Sequence, residues 1–161
     1  MKKWAFISVI VLLILIITQT IYLYLSASKP LVKAEERAIA LIQDQLELNE
    51  IIDVTFFNGD EPYHVVHALD ENSEEIIIWI PENNPEDLIV EKAENGLTEE
   101  EVREYAYAQF DIKKLQNIRI GMKYNIPVWE ITFIDTNDRY SFYYLQFNGE
   151  TWIENYRLKA L

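Results

Sequence analysis

The chain contains no cysteine, only two histidines, His64 and His67, and only four glycines in 161 residues. The missing cysteine excludes a disulfide framework, a thiol nucleophile, cysteine-ligated metals and a lipidated N-terminal cysteine. The scarcity of glycine leaves no phosphate-cradling loop, and there is no G-x-S-x-G elbow and no H-E-x-x-H pair. His64 and His67 fall in "YHVVHAL", a strand-like run, where an i, i+3 pair points to opposite faces and cannot jointly grip a metal. Basic residues are also few: 14 against 27 acidic ones, a net charge of −13.

What is abundant is apolar, at 50% of residues, enough for a real core. One domain, or two very small ones plus an anchor, fits this length. Residues 4–25, "WAFISVIVLLILIITQTIYLYL", carry no charge. A helix of that length spans about 33 Å, which suffices to cross a bilayer core. Trp4 at one end and Tyr22 and Tyr24 at the other stand where interfacial aromatics belong, and Lys2 and Lys3 set the N-terminus on the cytoplasmic side. Residues 1–28 therefore read as an uncleaved signal anchor, with the body outside the membrane. A cleaved signal peptide would have a shorter apolar region, although "SAS" at 26–28 offers a small-residue cleavage site.

The body after this run has 12 basic residues against all 27 acidic ones, a net −15. Phosphates would be repelled, so nucleic acid is not an expected partner. The acidity keeps the body soluble; a basic partner is the sharper alternative. Pro30 is expected to separate the anchor from a helix over 33–48, whose Ala38, Ile39, Leu41, Ile42 and Leu46 share an apolar face. Three strand-like runs follow, "IIDVTFF", "YHVVHAL" and "EIIIWI". Residues 29–84 form the first unit and 85–97 a polar connector. The second unit, 98–161, opens on a helix with Thr98 as N-cap, Glu101 closing a capping box, and Leu97 and Val102 as staple residues. Its strands are "LQNIRIGMKY", "PVWEITFI", "YSFYYLQF" and "TWIENYRL".

The order helix, strand, strand, strand thus occurs twice. A shift of 65 residues lays Pro62 on Pro127, Asp70 on Asp135, Asn72 on Asn137 and Trp79 on Tyr144, with about one residue of slippage upstream. This is the mark of a diverged duplication. Each half is expected to be one helix packed on a small antiparallel sheet, an α+β arrangement.

Candidate chemistry is sparse. The paired carboxylates Glu35 and Glu36, Glu74 and Glu75, and Glu99 to Glu101 sit at helix starts or in turns, where acids favour the helix dipole or face water. "DENS" and "DTND" lack the glycine and terminal glutamate of a calcium loop and read as hairpin turns. No catalytic residue, cofactor, metal or small-molecule substrate is expected. The aromatic strand is different: Tyr140, Phe142 and Tyr144 lie on one face, and Tyr143, Leu145 and Phe147 on the other. Both faces therefore contact something, either the other half of the chain or a separate protein. Tyr140, Tyr143 and Tyr144 are the candidate partner surface.

The anchor, the tandem helix-and-hairpin order, and the stretches "YHVVHALDENSEEIIIWIPEN" and "VWEITFIDTNDRYSFYYLQFNGE" resemble the YpmB/TseB-like proteins of Bacillus and relatives. Their halves look like PepSY-type units with a cystatin-like arrangement. The resemblance implies a single-pass protein on the outer face of a Gram-positive cytoplasmic membrane. It implies association with the cell-wall elongation machinery, including a penicillin-binding transpeptidase, and no catalysis. The repeat unit alone suggests an alternative, a PepSY-type inhibitor or regulator of a secreted or membrane peptidase.

Overall fold

Runs of alternating apolar and polar residues bounded by Asn-Gly, Asp and Pro build the strands of this protein, and two helical stretches build the rest. The computed structural model describes the backbone of residues 2–150 and 152–159, and the side chains of 10–22, 36–150 and 154–158. Helix α1 spans Lys2–Gln45, and helix α2 spans Glu99–Gln109. The strands are β1 (Leu48–Asn58), β2 (Pro62–Asp70), β3 (Glu75–Pro81), β4 (Ile89–Lys92), β5 (Ile112–Lys123), β6 (Ile126–Asp135), β7 (Arg139–Gln146) and β8 (Trp152–Lys159). They form two four-stranded antiparallel sheets in sequential order, β1-β2-β3-β4 and β5-β6-β7-β8. The architecture is α+β, as expected.

The chain divides into two units, Met1–Ala40 and Leu41–Leu161. In the first, α1 is helical through Pro30, so the separation expected there is absent. A proline removes one backbone donor and costs about 3 kcal/mol in a helix interior. The strongly helix-forming run "KAEERAIALIQDQ" behind it offsets that cost. The side chains described within residues 10–22 are exposed, Tyr22 among them. Trp4 and Tyr24 lie outside the residues with described side chains. Among the described residues no helix is long and apolar enough to cross a membrane; the anchor expected at residues 4–25 rests on the sequence.

The second unit holds both sheets. The duplication is explicit in their registers. Val65 pairs with Trp79, and Glu130, 65 positions after Val65, pairs with Tyr144. Ile78 pairs with Val90, and Tyr143 with Asn155. In β1 register shifts fall between Leu48 and Glu50 and between Ile51 and Asp53; in β5 they fall between Ile112 and Lys114 and between Leu115 and Asn117. Those bulges coincide at a shift of 64, so the one-residue slippage lies in the β1–β2 and β5–β6 turns. The buried helix positions agree as well: Ala38 and Ile42 of α1 fall on Val102 and Ala106 of α2. The stretch read as a connector, 85–97, contains β4 and a 3₁₀ turn at Ala93–Asn95.

Local chemistry explains the repeat's fixed points. Thr98 and Glu101 form the capping box, saturating donors at the start of α2. In the second hairpin of each repeat, β2–β3 and β6–β7, an aspartate closes the turn. Asp70 Oδ1 accepts from the amides of Asn72 and Glu74, and Asp135 Oδ1 from those of Asn137 and Arg139. The turn places Ser73 and Asp138 at φ of 62° and 57°. Asp135 also takes Nε of Arg139 at 2.7 Å, a partner its counterpart Asp70 lacks. Burial pushes the Asp135 carboxyl up, but these hydrogen bonds and the guanidinium outweigh it and hold its pKa below the ordinary value. A group with a lowered folded pKa stabilises above its unfolded pKa, and that contribution is lost as pH falls through the folded one. Asp135→Asn should therefore lower the urea midpoint at pH 7 more than Asp70→Asn, with the gap closing below about pH 4. Equal losses at pH 7 would sink the assignment.

Candidate functional site

The second sheet has one side facing α2 and one facing away. In the second sheet Trp129, Ile131, Phe133, Tyr143 and Leu145 belong to the core beneath α2. The Phe110 ring stacks on Phe133 and meets Tyr143 edge-on, and the Tyr105 and Tyr143 hydroxyls are 3.3 Å apart. Burial, with that hydroxyl contact, pushes the Tyr143 phenol above its ordinary pKa. Tyr143 thus belongs to the α2 core, and no partner reaches its 7% exposed side chain without displacing the helix.

The other face of the second sheet and its counterpart in the first sheet have different fates. In the first sheet this face carries Phe57, Tyr63, Val65, Ile77 and Trp79, all buried in one cluster with Met122, Val128 and Phe147 of the second repeat. Trp79 is fully buried, donates Nε1–H to the Gly121 carbonyl at 2.8 Å, and meets the Phe147 ring edge-on. Phe57 and Gly121 occupy the same strand position in their repeats, and the Phe57 ring lies on Gly121. A Cβ there would stand 2.3 Å from the ring, which is why only glycine fits.

The same face of the second sheet is open. Running outward along β7 and β8 it carries Tyr144 and Glu154, then Phe142 and Tyr156, then Tyr140 and Leu158. Tyr140, Tyr156 and Leu158 are exposed, the last at 57%. Inward the face is polar and saturated. Glu130 is 5% exposed; it accepts from Nε of Arg119 at 2.7 Å and from the Tyr144 hydroxyl at 2.8 Å. Burial, then that bond, raises the Tyr144 pKa. Lys123 Nζ reaches Asp60 of the first repeat at 2.8 Å and Glu154 at 3.3 Å, within 4.9–5.5 Å of the Tyr124, Tyr144 and Tyr156 ring centroids. Burial pulls the Lys123 ammonium down, but the two carboxylates outweigh it and leave its pKa raised. Hydrogen bonding to Glu154 pushes the Tyr156 phenol up to about 12.

Of the candidate surface residues, Tyr140 and Tyr144 thus share the open face and Tyr143 points the other way. Tyr156 and Leu158, which sequence reasoning did not single out, complete that face. The alternation in "TWIENYRL" could have found them, since Tyr156 pairs with Phe142 and Leu158 with Tyr140. His64, buried beside the Phe56 ring, and His67 fall on opposite faces of β2. Among the described residues no three His, Cys, Asp or Glu side chains converge so as to hold a metal.

The structure defines an α+β protein whose two four-stranded sheets repeat one another, the first closed against the second and the second open on one face. The cell wall elongation regulator TseB-like domain family matches residues 37–81, which cover the end of α1 through β3. The chain is 24% identical over 147 residues to a "probable cell wall elongation regulator TseB" of Bacillus subtilis (strain 168), covering 91% of this chain and 90% of that protein. Its fold is that of the solved YpmB protein from Bacillus subtilis, with a TM-score of 0.71 at 23% identity over 76% of this chain and 95% of that one. These likenesses support the YpmB/TseB-like family.

Proposed function

We propose that this protein regulates cell-wall elongation as a non-catalytic, membrane-anchored module that binds a penicillin-binding transpeptidase outside the cell. The open aromatic face of the second sheet carries the reading. Its counterpart in the first repeat is buried within the chain, whereas this one leaves Tyr140, Tyr156 and Leu158 exposed to a partner. The likeness to a probable cell wall elongation regulator over 91% of the chain supports the process. The uncharged run at residues 4–25, preceded by Lys2 and Lys3, supports a single-pass anchor with a cytoplasmic N-terminus.

Affinity purification of the full chain from cross-linked membranes should recover such a transpeptidase, and the recovered chain should keep its N-terminus. Recovery of abundant bystanders alone would refute the partner. A mature chain beginning at Lys29 would refute the anchor.

A further inference from the structure

The two repeats differ sharply in charge. Residues 41–96 carry 15 acidic side chains and one basic one, Lys92, whereas residues 97–161 carry 10 acidic and 8 basic. Five of those eight, Lys113, Lys114, Arg139, Arg157 and Lys159, stand at one end of the second sheet, where β5 and β7 begin and β8 ends. Lys113 pairs with Asp138 and Arg139 with Asp135. Lys114 and Arg157 are exposed and have no ion partner among the described residues.

Register places Lys114 on the open face. It pairs with Ile134, Ile134 with Tyr140, and Tyr140 with Leu158, so the four form one rung across the sheet. Thr132, Phe142 and Tyr156 form the next. The carboxylates of this face, Glu130 and Glu154, lie one rung further in and are already engaged by Arg119, Lys123 and tyrosine hydroxyls. Among the described residues the outer half is therefore aromatic and aliphatic, holds an ammonium without an ion partner and bears no carboxylate, on a chain of net charge −13.

We infer that this outer half docks an extended acidic polypeptide segment of the protein partner, with apolar side chains on Tyr140, Phe142, Tyr156 and Leu158 and a carboxylate on Lys114. The inference rests on the proposed function and names the segment that its partner presents. Charge selects the occupant. A basic segment would be drawn to the acidic first repeat instead. An acidic one is repelled elsewhere on the body and settles only at this end. An extended anionic surface, such as a lipid bilayer, would also confront the 15 acids of the first repeat. A short segment contacts the favourable end alone, because screening limits repulsion to roughly 8 Å at physiological salt. Alternate residues of β8 are about 6.7 Å apart, the same repeat as positions i and i+2 of an extended peptide, so Tyr156 and Leu158 match successive anchors.

The test is photo-crosslinking in cells from position 156 and, separately, 158 of the full chain, with mass spectrometry of the adduct. The expected adduct is a segment of the transpeptidase with net negative charge. Lys114→Glu should cut its yield roughly tenfold, and reversing the crosslinked carboxylate in the partner should restore it. If the same partner is captured through a neutral or basic segment, or Lys114→Glu changes nothing, the inference fails while the proposed function stands. An adduct with phospholipid or wall glycan replaces the peptide and also overturns it. If no transpeptidase is captured from any position on the body, the proposed function itself fails.

Discussion

Trp79→Ala lowers the stability of the two-sheet unit by about 3–5 kcal/mol, the cost of deleting a large, fully buried aromatic. Three contacts vanish together: the burial of the indole, its edge-on packing against Phe147, and the hydrogen bond to the Gly121 carbonyl. Small domains are stable by only roughly 5–15 kcal/mol, so the variant approaches unfolding. Trp79→Phe keeps much of the volume, loses the donor, and costs about 1–2 kcal/mol more than a neutral change. The internal control is the equivalent residue of the second repeat. Tyr144→Phe removes one hydroxyl from Glu130 but leaves its ring on the open face, so its effect stays near that of Trp79→Phe. Urea titration of the full chain, followed by circular dichroism, separates these cases. If Trp79→Ala shifts the midpoint no further than Tyr144→Phe, the first repeat's buried face is not the contact that unites the sheets.

That contrast between Trp79 and Tyr144 also shows what could be read from the chain. The 65-residue shift was legible because the second hairpin of each repeat has equal length and the same aspartate-closed turn. The capping box was legible because Thr98 and Glu101 act within one helical turn. Strand β4 was not, since its four residues sit between Asp87 and the 3₁₀ turn with little periodic signal. Its position was nonetheless implied by "TWIENYRL", because Ile89 precedes Glu154 by 65 positions. Alternation sorted Tyr140 and Tyr144 from Tyr143 but could not say which set lay under α2. That depends on Phe110 reaching Phe133 and Tyr143, a contact across sequence distance. Nor could it say which repeat stays open. The difference turns on Gly121, whose missing side chain admits Phe57 and lets the first sheet close on the second. A single glycine in an otherwise unremarkable strand carries no such signal without the partner ring.

Removing the buried cation at the junction of the repeats costs less than removing its two carboxylates. The Lys123 side chain is 7% exposed, whereas those of Asp60 and Glu154 are 40% and 27% exposed. With Lys123→Met the carboxylates can turn to water, and the loss is about 1–3 kcal/mol. With Asp60→Asn and Glu154→Gln together, an ammonium is left buried among Tyr124, Tyr144 and Tyr156 without a counter-charge, which is the more expensive state. The double variant should therefore show the lower urea midpoint at pH 7. The pH dependence has a definite sign. Hydrogen bonds from Tyr156, then Tyr124 and Lys123, hold Glu154 below its ordinary pKa despite the opposing effect of burial. Its contribution is present above the usual carboxylate range and is lost as pH falls through the lowered value. Lys123 has a raised pKa, so its contribution is complete below its ordinary value and is lost only in strong base. The clamp is thus insensitive between about pH 6 and 9 and fails in acid. Lys123→Met removes part of what depresses Glu154, so the variant should lose less stability than the parent between about pH 5 and 3. Parallel acid profiles for the two proteins would mean that Glu154 owes its low pKa to the tyrosines alone. A lower midpoint for Lys123→Met than for the double variant would mean that the ammonium finds water when its partners are gone.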